Sequence, residues 1–162
     1  MKLTHAHRTI LLVTLLTITL DQLSKWWLLF KVGMIARPPI VITEFFSLVM
    51  VWNRGISFGM LNRSDYQHWA PLLLIVVALV VSAILLRLAC KTHLRWERIG
   101  YALVIGGALG NVIDRVRFGA VADFFYFHLG DLGWPAFNVA DAAICVGVGI
   151  LLIMLLKAPR GA

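Results

Sequence analysis

Asp123 and Asp141 are the residues of this chain best placed to do chemistry. Asp141 falls within Phe137-Asn138-Val139-Ala140-Asp141-Ala142-Ala143-Ile144, at the start of an apolar run that continues to Leu156. A charge carried to the centre of a bilayer costs about 2.5–3.5 kcal/mol, so such residues are kept where they serve a function. Two carboxylates held close together cannot both ionise easily, and one keeps its proton while the other acts as a base. A dyad of that kind activates water against an amide carbonyl and protonates the leaving amine, with neither metal nor covalent intermediate. A proton-coupled transporter also uses carboxylates within the membrane, and the spacing alone does not separate the two classes.

Other polar residues gather at the ends of apolar runs. Asn111, Asp114 and Arg115 follow one another at i, i+3 and i+4 and therefore share one helix face. For Asp114 the plain reading is an ion pair with a basic neighbour at a helix end, whereas the Arg115 guanidinium could also hold a carbonyl or a phosphate. Asp21 and Lys25 lie at i and i+4, the spacing of a helical ion pair, with Gln22 and Ser24 between them. Asn138 follows Pro135 at a helix start and reads as an N-cap. Asp141, three residues further in, is not explained by a cap and has no basic residue nearby in its own run.

Two other hydrolytic schemes fail on context. Gly55-Ile56-Ser57-Phe58-Gly59 matches G-x-S-x-G, but that motif works at a strand–turn–helix elbow in an α/β sheet, which this chain lacks. No H-E-x-x-H or paired-cysteine spacing occurs, so neither a metal site nor any other cofactor is expected.

The elements that must position these residues are membrane helices. Of the 162 residues 60% are hydrophobic and only 14% charged, about half the charge of a soluble domain. Apolar runs place spans at about 9–30, 69–88, 97–115 and 138–156, each long enough to cross a hydrocarbon core of about 30 Å. The first is not a cleaved leader, because no small-x-small site follows and Trp26-Trp27-Leu28-Leu29-Phe30 prolongs it. The chain is expected to be a single integral-membrane domain, 1–162, an all-α four-helix membrane bundle with a small extracytoplasmic β-sheet. Its extracytoplasmic segments are 31–68 and 116–137. Ile40 to Trp52 and Val121 to His128 are rich in β-branched and aromatic residues and would form that sheet.

A net charge of +7 invites a nucleic-acid partner, which the placement of the charge excludes. Lys2, Arg8, Arg87, Lys91, Arg95, Arg98, Lys157 and Arg160 lie in the two tails and the short loop between spans two and three. Density of that kind in short segments places both termini in the cytoplasm, where the basic residues meet anionic lipid. Cys90 and Cys145 fall at different depths and are not expected to pair.

Five blocks in order resemble the bacterial lipoprotein signal peptidases, the signal peptidase II family. They are Asp21-Gln22-Leu23-Ser24-Lys25, Asn53-Arg54-Gly55-Ile56-Ser57-Phe58-Gly59, Gly106 to Arg115, Val121-Ala122-Asp123-Phe124 and Phe137-Asn138-Val139-Ala140-Asp141. The resemblance runs over nearly the whole chain. The one visible swap is Trp134-Pro135 where Phe-Pro is common. The resemblance implies an aspartic endopeptidase of the bacterial inner membrane; a monomer is expected. Its implied substrates are diacylglyceryl-modified prolipoproteins, cut just before the lipidated cysteine at the extracytoplasmic face. It further implies that Asp123 and Asp141 are the catalytic dyad, and that Asn53, Asn111, Arg115 and Asn138 position the substrate backbone or hold the dyad. Asp21, Lys25 and Asp114 are left to structural polar contacts. A transporter would need an aqueous path to the inner side, yet the polar residues cluster at the outer ends of the spans. A glycine-packed scaffold would leave Asp141 unexplained.

Overall fold

The computed structural model describes residues 5–55, 69–130 and 132–157. Ser57, with all of the G-x-S-x-G match after Gly55, lies outside them. In chain order the elements are α1 (His5–Trp26), β1 (Ile40–Thr43), β2 (Phe46–Asn53), α2 (Ala70–Lys91), α3 (Arg95–Phe118), β3 (Val121–Leu129), β4 (Leu132–Gly133) and α4 (Val139–Lys157). A wider helical turn, Trp27–Val32, continues α1 and stops at Gly33, whose φ of +76° a residue with a side chain rarely adopts.

Among the described residues three helices are long and apolar enough to cross a membrane. They are α2, α3 and α4, with mean hydropathies of 2.9, 1.3 and 2.6. The first run falls short of that set because Asp21, Gln22, Ser24 and Lys25 dilute the last turns of α1. The outward face of α1 is nevertheless apolar, with Leu11, Leu12, Leu15, Leu16, Leu20 and Leu23 all exposed.

α3 is the central helix and packs against α1, α2 and α4. Half of its most apolar stretch is buried, against 11% for α2 and for α4. Small residues make that closeness possible. A Cβ on Gly106 would stand 2.7 Å from the Thr17 Cβ of α1, and one on Gly107 would collide with the Ala140 carbonyl of α4.

The four strands form one antiparallel sheet in the order β1-β2-β3-β4. A register shift between Leu48 and Val51 gives β2 one extra residue against β3. Because side chains alternate in a strand, that residue decides which of them faces Asp123. Asn53 ends up opposite Val121 and diagonal to Asp123 on the same face, while Trp52 turns to the other side and packs on Phe118. Behind the sheet, Leu28, Leu29, Met34, Ala122 and Phe124 form a buried apolar cluster that fixes β3 against the end of the α1 run.

Candidate functional site

Three backbone features converge on one spot. β3 carries Asp123 two residues from its start, and α4 carries Asp141 in its first turn. The segment between them is tied back onto β3, since the Phe137 carbonyl accepts the N–H groups of Phe124 and Phe125 at 3.0 and 2.9 Å. The Phe137 N–H returns a bond to the Phe125 carbonyl at 3.1 Å. This bridge makes the start of α4 an extension of the sheet, so the two aspartates face each other across one residue, Asn138.

Asn138 caps α4. Its Oδ1 accepts the Asp141 N–H at 2.9 Å, and the Asp141 Oδ2 accepts the Asn138 N–H at 3.2 Å. That is a reciprocal capping box, so part of what holds Asp141 is a helix start, contrary to the expectation that a cap does not explain it. The Asn138 Nδ2 then donates to the Asp123 Oδ1 at 2.7 Å. Asn53 donates from β2 to the other Asp123 oxygen at 3.1 Å, and Asn111 donates from α3 to the Asp141 Oδ1 at 2.8 Å. A carboxylate accepts and cannot donate, and both carboxylates are ringed by donors.

The two are not equivalent. Asp123 is 1% exposed, and burial raises its carboxyl from 3.8 to about 7; the Asp141 charge adds to the rise, while the Asn53 and Asn138 donors and the Lys25 charge oppose it. Asp141 is less deeply buried and forms part of the wall of a groove of about 500 Å³. Trp134, Pro135, Phe137, Ala142, Ile144 and Cys145 line the rest of it, so its surface is apolar apart from that carboxylate. The groove runs along the outer face of α4, next to side chains left exposed for lipid.

Arg115 sits at the edge of this cluster. Its Nη2 donates to the Gly55 carbonyl at 3.2 Å and its Nη1 to the Asn111 carbonyl at 3.5 Å. The Arg115 Nε is buried with no hydrogen-bond partner among the described residues, a donor left over in a polar site.

Beneath the pair lies a second polar layer. Lys25 makes two ion pairs of 2.8 Å, to Asp21 within α1 and to Asp114 on α3. The expected i, i+4 pair therefore forms, and the basic partner of Asp114 comes from another helix. Gln22, which the sequence reading did not place in the site, donates to Asp114 Oδ1 at 3.0 Å and to Asp21 Oδ2 at 3.1 Å. Its signal was its place between Asp21 and Lys25. The structure brings all nine of the residues singled out in the sequence into one connected region.

The family model described as "Signal peptidase (SPase) II" matches residues 13–157. A lipoprotein signal peptidase of Methylocella silvestris is 43% identical over 152 residues, covering 93% of this chain and 87% of the relative. One of Burkholderia cenocepacia is 45% identical over 151 residues, covering 93% of this chain and 89% of the relative. Two solved bacterial membrane enzymes share the fold. One aligns with a TM-score of 0.77 at 24% identity over 95% of this chain and 93% of its own. The other gives 0.73 at 25% identity over 93% and 94%.

Proposed function

The chain belongs to the signal peptidase II family, and from that membership we propose that it cleaves the signal peptide of diacylglyceryl-modified prolipoproteins just before the lipidated cysteine. It is an endopeptidase of the aspartic class. The observation that carries the mechanism is Asn138, which is hydrogen-bonded to Asp123 and Asp141 at once.

The resting dyad carries one proton. Asp123 holds it, because burial favours the neutral form there, and Asp141 is the base on the groove side. Asp141 takes a proton from water as the water oxygen attacks the scissile carbonyl, and the Asp123 proton passes to the carbonyl oxygen. The carbon–nitrogen bond then breaks: Asp141 returns its proton to the leaving amine, and Asp123 recovers one from the diol. The signal peptide leaves with a new carboxyl group and the cysteine with a free α-amino group. Asn53, Asn111 and Asn138 hold the carboxylates, and the Arg115 guanidinium turns one of its N–H groups to a substrate carbonyl.

The substrate's lipid dictates its route. A diacylglyceryl chain stays in the bilayer, so the peptide must reach the dyad sideways, and the apolar groove beside Asp141 is open for that approach. We place the protein as one domain in the bacterial inner membrane, with α1 as a fourth span, both termini in the cytoplasm and the sheet on the outer surface. Its exposed leucine face supports that reading for α1, and the polar end of α1 is matched by α3 rather than by water. Both polar layers are complete within one chain, which supports a monomer.

The test is direct. Purified protein in detergent should convert a diacylglyceryl-modified precursor, and mass spectrometry should place the cut before the modified cysteine. A precursor without lipid should not be cut. Failure on the lipidated precursor by folded protein would refute the activity.

A further inference from the structure

We propose that Asp21, Lys25 and Asp114 are positioning residues for the reaction: they set the separation of the two aspartates by gripping the backbone immediately before each. The proposal rests on the endopeptidase reading above. The Asp21 Oδ1 accepts the N–H of Ala140, the residue preceding Asp141, at 3.0 Å. The Asp114 Oδ2 accepts the N–H of Ala122, the residue preceding Asp123, at 3.2 Å. Lys25 joins the two grips with ion pairs of 2.8 Å each.

Stability alone does not require this arrangement. Burying two carboxylates and an ammonium costs solvation that their attraction barely recovers, and apolar side chains of the same volume are often as stable. All three are almost wholly buried, at 0%, 2% and 1% exposure for Asp21, Lys25 and Asp114. The second Asp21 oxygen, and the same Asp114 oxygen that pairs with Lys25, go to the two peptide groups whose positions decide where the reactive carboxylates stand. Those peptides belong to a helix and a strand, and among the described residues the bridge at Phe137 ties the two segments at one point without extending to Ala122 and Ala140.

The same cluster orients a third group. Lys25 donates to the Asn111 Oδ1 at 3.3 Å, and an ammonium has nothing to accept with. That turns the oxygen of the Asn111 amide inward and its NH2 outward, onto the Asp141 Oδ1. Gly110 belongs to the device as well, since a Cβ there would stand 2.7 Å from the Asp21 Oδ2.

A positioning role and a merely structural role differ in what a conservative variant does once it has folded. Asp114→Asn keeps the shape but weakens the grip, and Asp21→Glu keeps the charge but moves the carboxylate by one methylene. Assays on the lipidated precursor, per folded enzyme counted by thermal unfolding, should show kcat down by roughly 10²-fold with KM nearly unchanged. The two limbs of the pH–rate profile should also move, because the coupling of the dyad depends on its separation. The other charges facing the dyad, Lys25 and Arg115, are left in place by both variants. Should Asp114→Asn fail to fold, Asp21→Glu decides on the same readings, and should both fail, Gly110→Ala, which presses on the Asp21 oxygen, decides. A folded variant with kcat within about twofold of the parent and an unmoved profile overturns the proposal. Failure of the folded parent protein to cut the lipidated precursor would instead sink the endopeptidase reading itself, so the two failures are distinguishable.

Discussion

Asp123 and Asp141 differ in depth, and the roles we propose for them follow from that difference. Asparagine has nearly the shape of aspartate but cannot act as a base; its one oxygen keeps one of the two bonds that hold each position, and its NH2 faces the other donor. Asp123→Asn and Asp141→Asn should each abolish cleavage of the lipidated precursor in folded protein. The double variant should be scarcely worse than either, because the pair acts as one unit. Substantial turnover by either single variant would show that the wrong carboxylates have been chosen. Depth also predicts a stability slope. The folded Asp123 carboxyl holds its proton up to about pH 7, and the unfolded one only to 3.8. The folded state therefore binds more protons between those values, and stability from this group is fully present below about pH 4 and lost as pH rises through 7. The loss is on the order of 4 kcal/mol. Asp123→Asn should remove the slope, making the variant more stable than the parent at pH 8 by a larger margin than at pH 5; thermal unfolding in detergent reads it, and parallel curves would contradict it. Arg115→Lys tests the remaining donor. Lysine lacks the planar fork, so processing should fall at unchanged folding, whereas full activity would reduce Arg115 to its bond with Gly55.

At the scale of elements, α3 determines how near the two halves of the site can come. Gly107 lies against the Ala140 carbonyl and the Ile144 side chain, so a larger residue must push α4 away just where Asp141 begins. Gly107→Val should cost about 1–3 kcal/mol of stability. It should cost activity on the order of 10²-fold, more than the lost folding explains, because Asp141 would move from Asn111. Gly149 on α4 has open space around it, and Gly149→Ala should leave activity unchanged and stability no lower than the parent's. Were the two variants alike, close packing would not be what sets the site. The helices and the paired strands were legible in the sequence, since apolar runs and aromatic, β-branched runs report burial directly. The partner of Asp114 was not, because Lys25 reaches it across two helices and i, i+4 spacing shows only pairs within one. Nor was the extra residue in β2, which exists only relative to β3 and turns Asn53 rather than Trp52 toward Asp123. The capping box was legible, as Asn138 and Asp141 three apart, and was read only as a cap without its return bond.

For the whole molecule the open matter is how many times the chain crosses, and the charge distribution bears on it. Arg87, Lys91, Arg95 and Arg98 cluster where α2 ends and α3 begins, and Lys157 closes α4 at the same end of the bundle. The dyad, the ion-pair layer and the sheet lie at the other end, where α3 finishes and α4 starts. Basic residues in short segments are held in the cytoplasm, and on that ground we propose that the site faces outside. α1 has the length to cross, and its low mean hydropathy comes from polar side chains whose partners are on α3. Asp21 and Lys25 are buried, Gln22 and Ser24 are half-buried, and the exposed face of α1 is mostly leucine. An average over the sequence counts the buried polar residues against a span, but the bilayer meets only the outward face. We therefore expect four crossings. In a chain with Cys90 and Cys145 replaced, a cysteine at His93 should react with membrane-impermeant reagent only after the cells are opened, and one at Leu132 should react in intact spheroplasts. A cysteine at His5 should behave like the one at His93. Labelling of His5 and His93 positions from opposite sides would leave α1 outside the membrane and reduce the count to three.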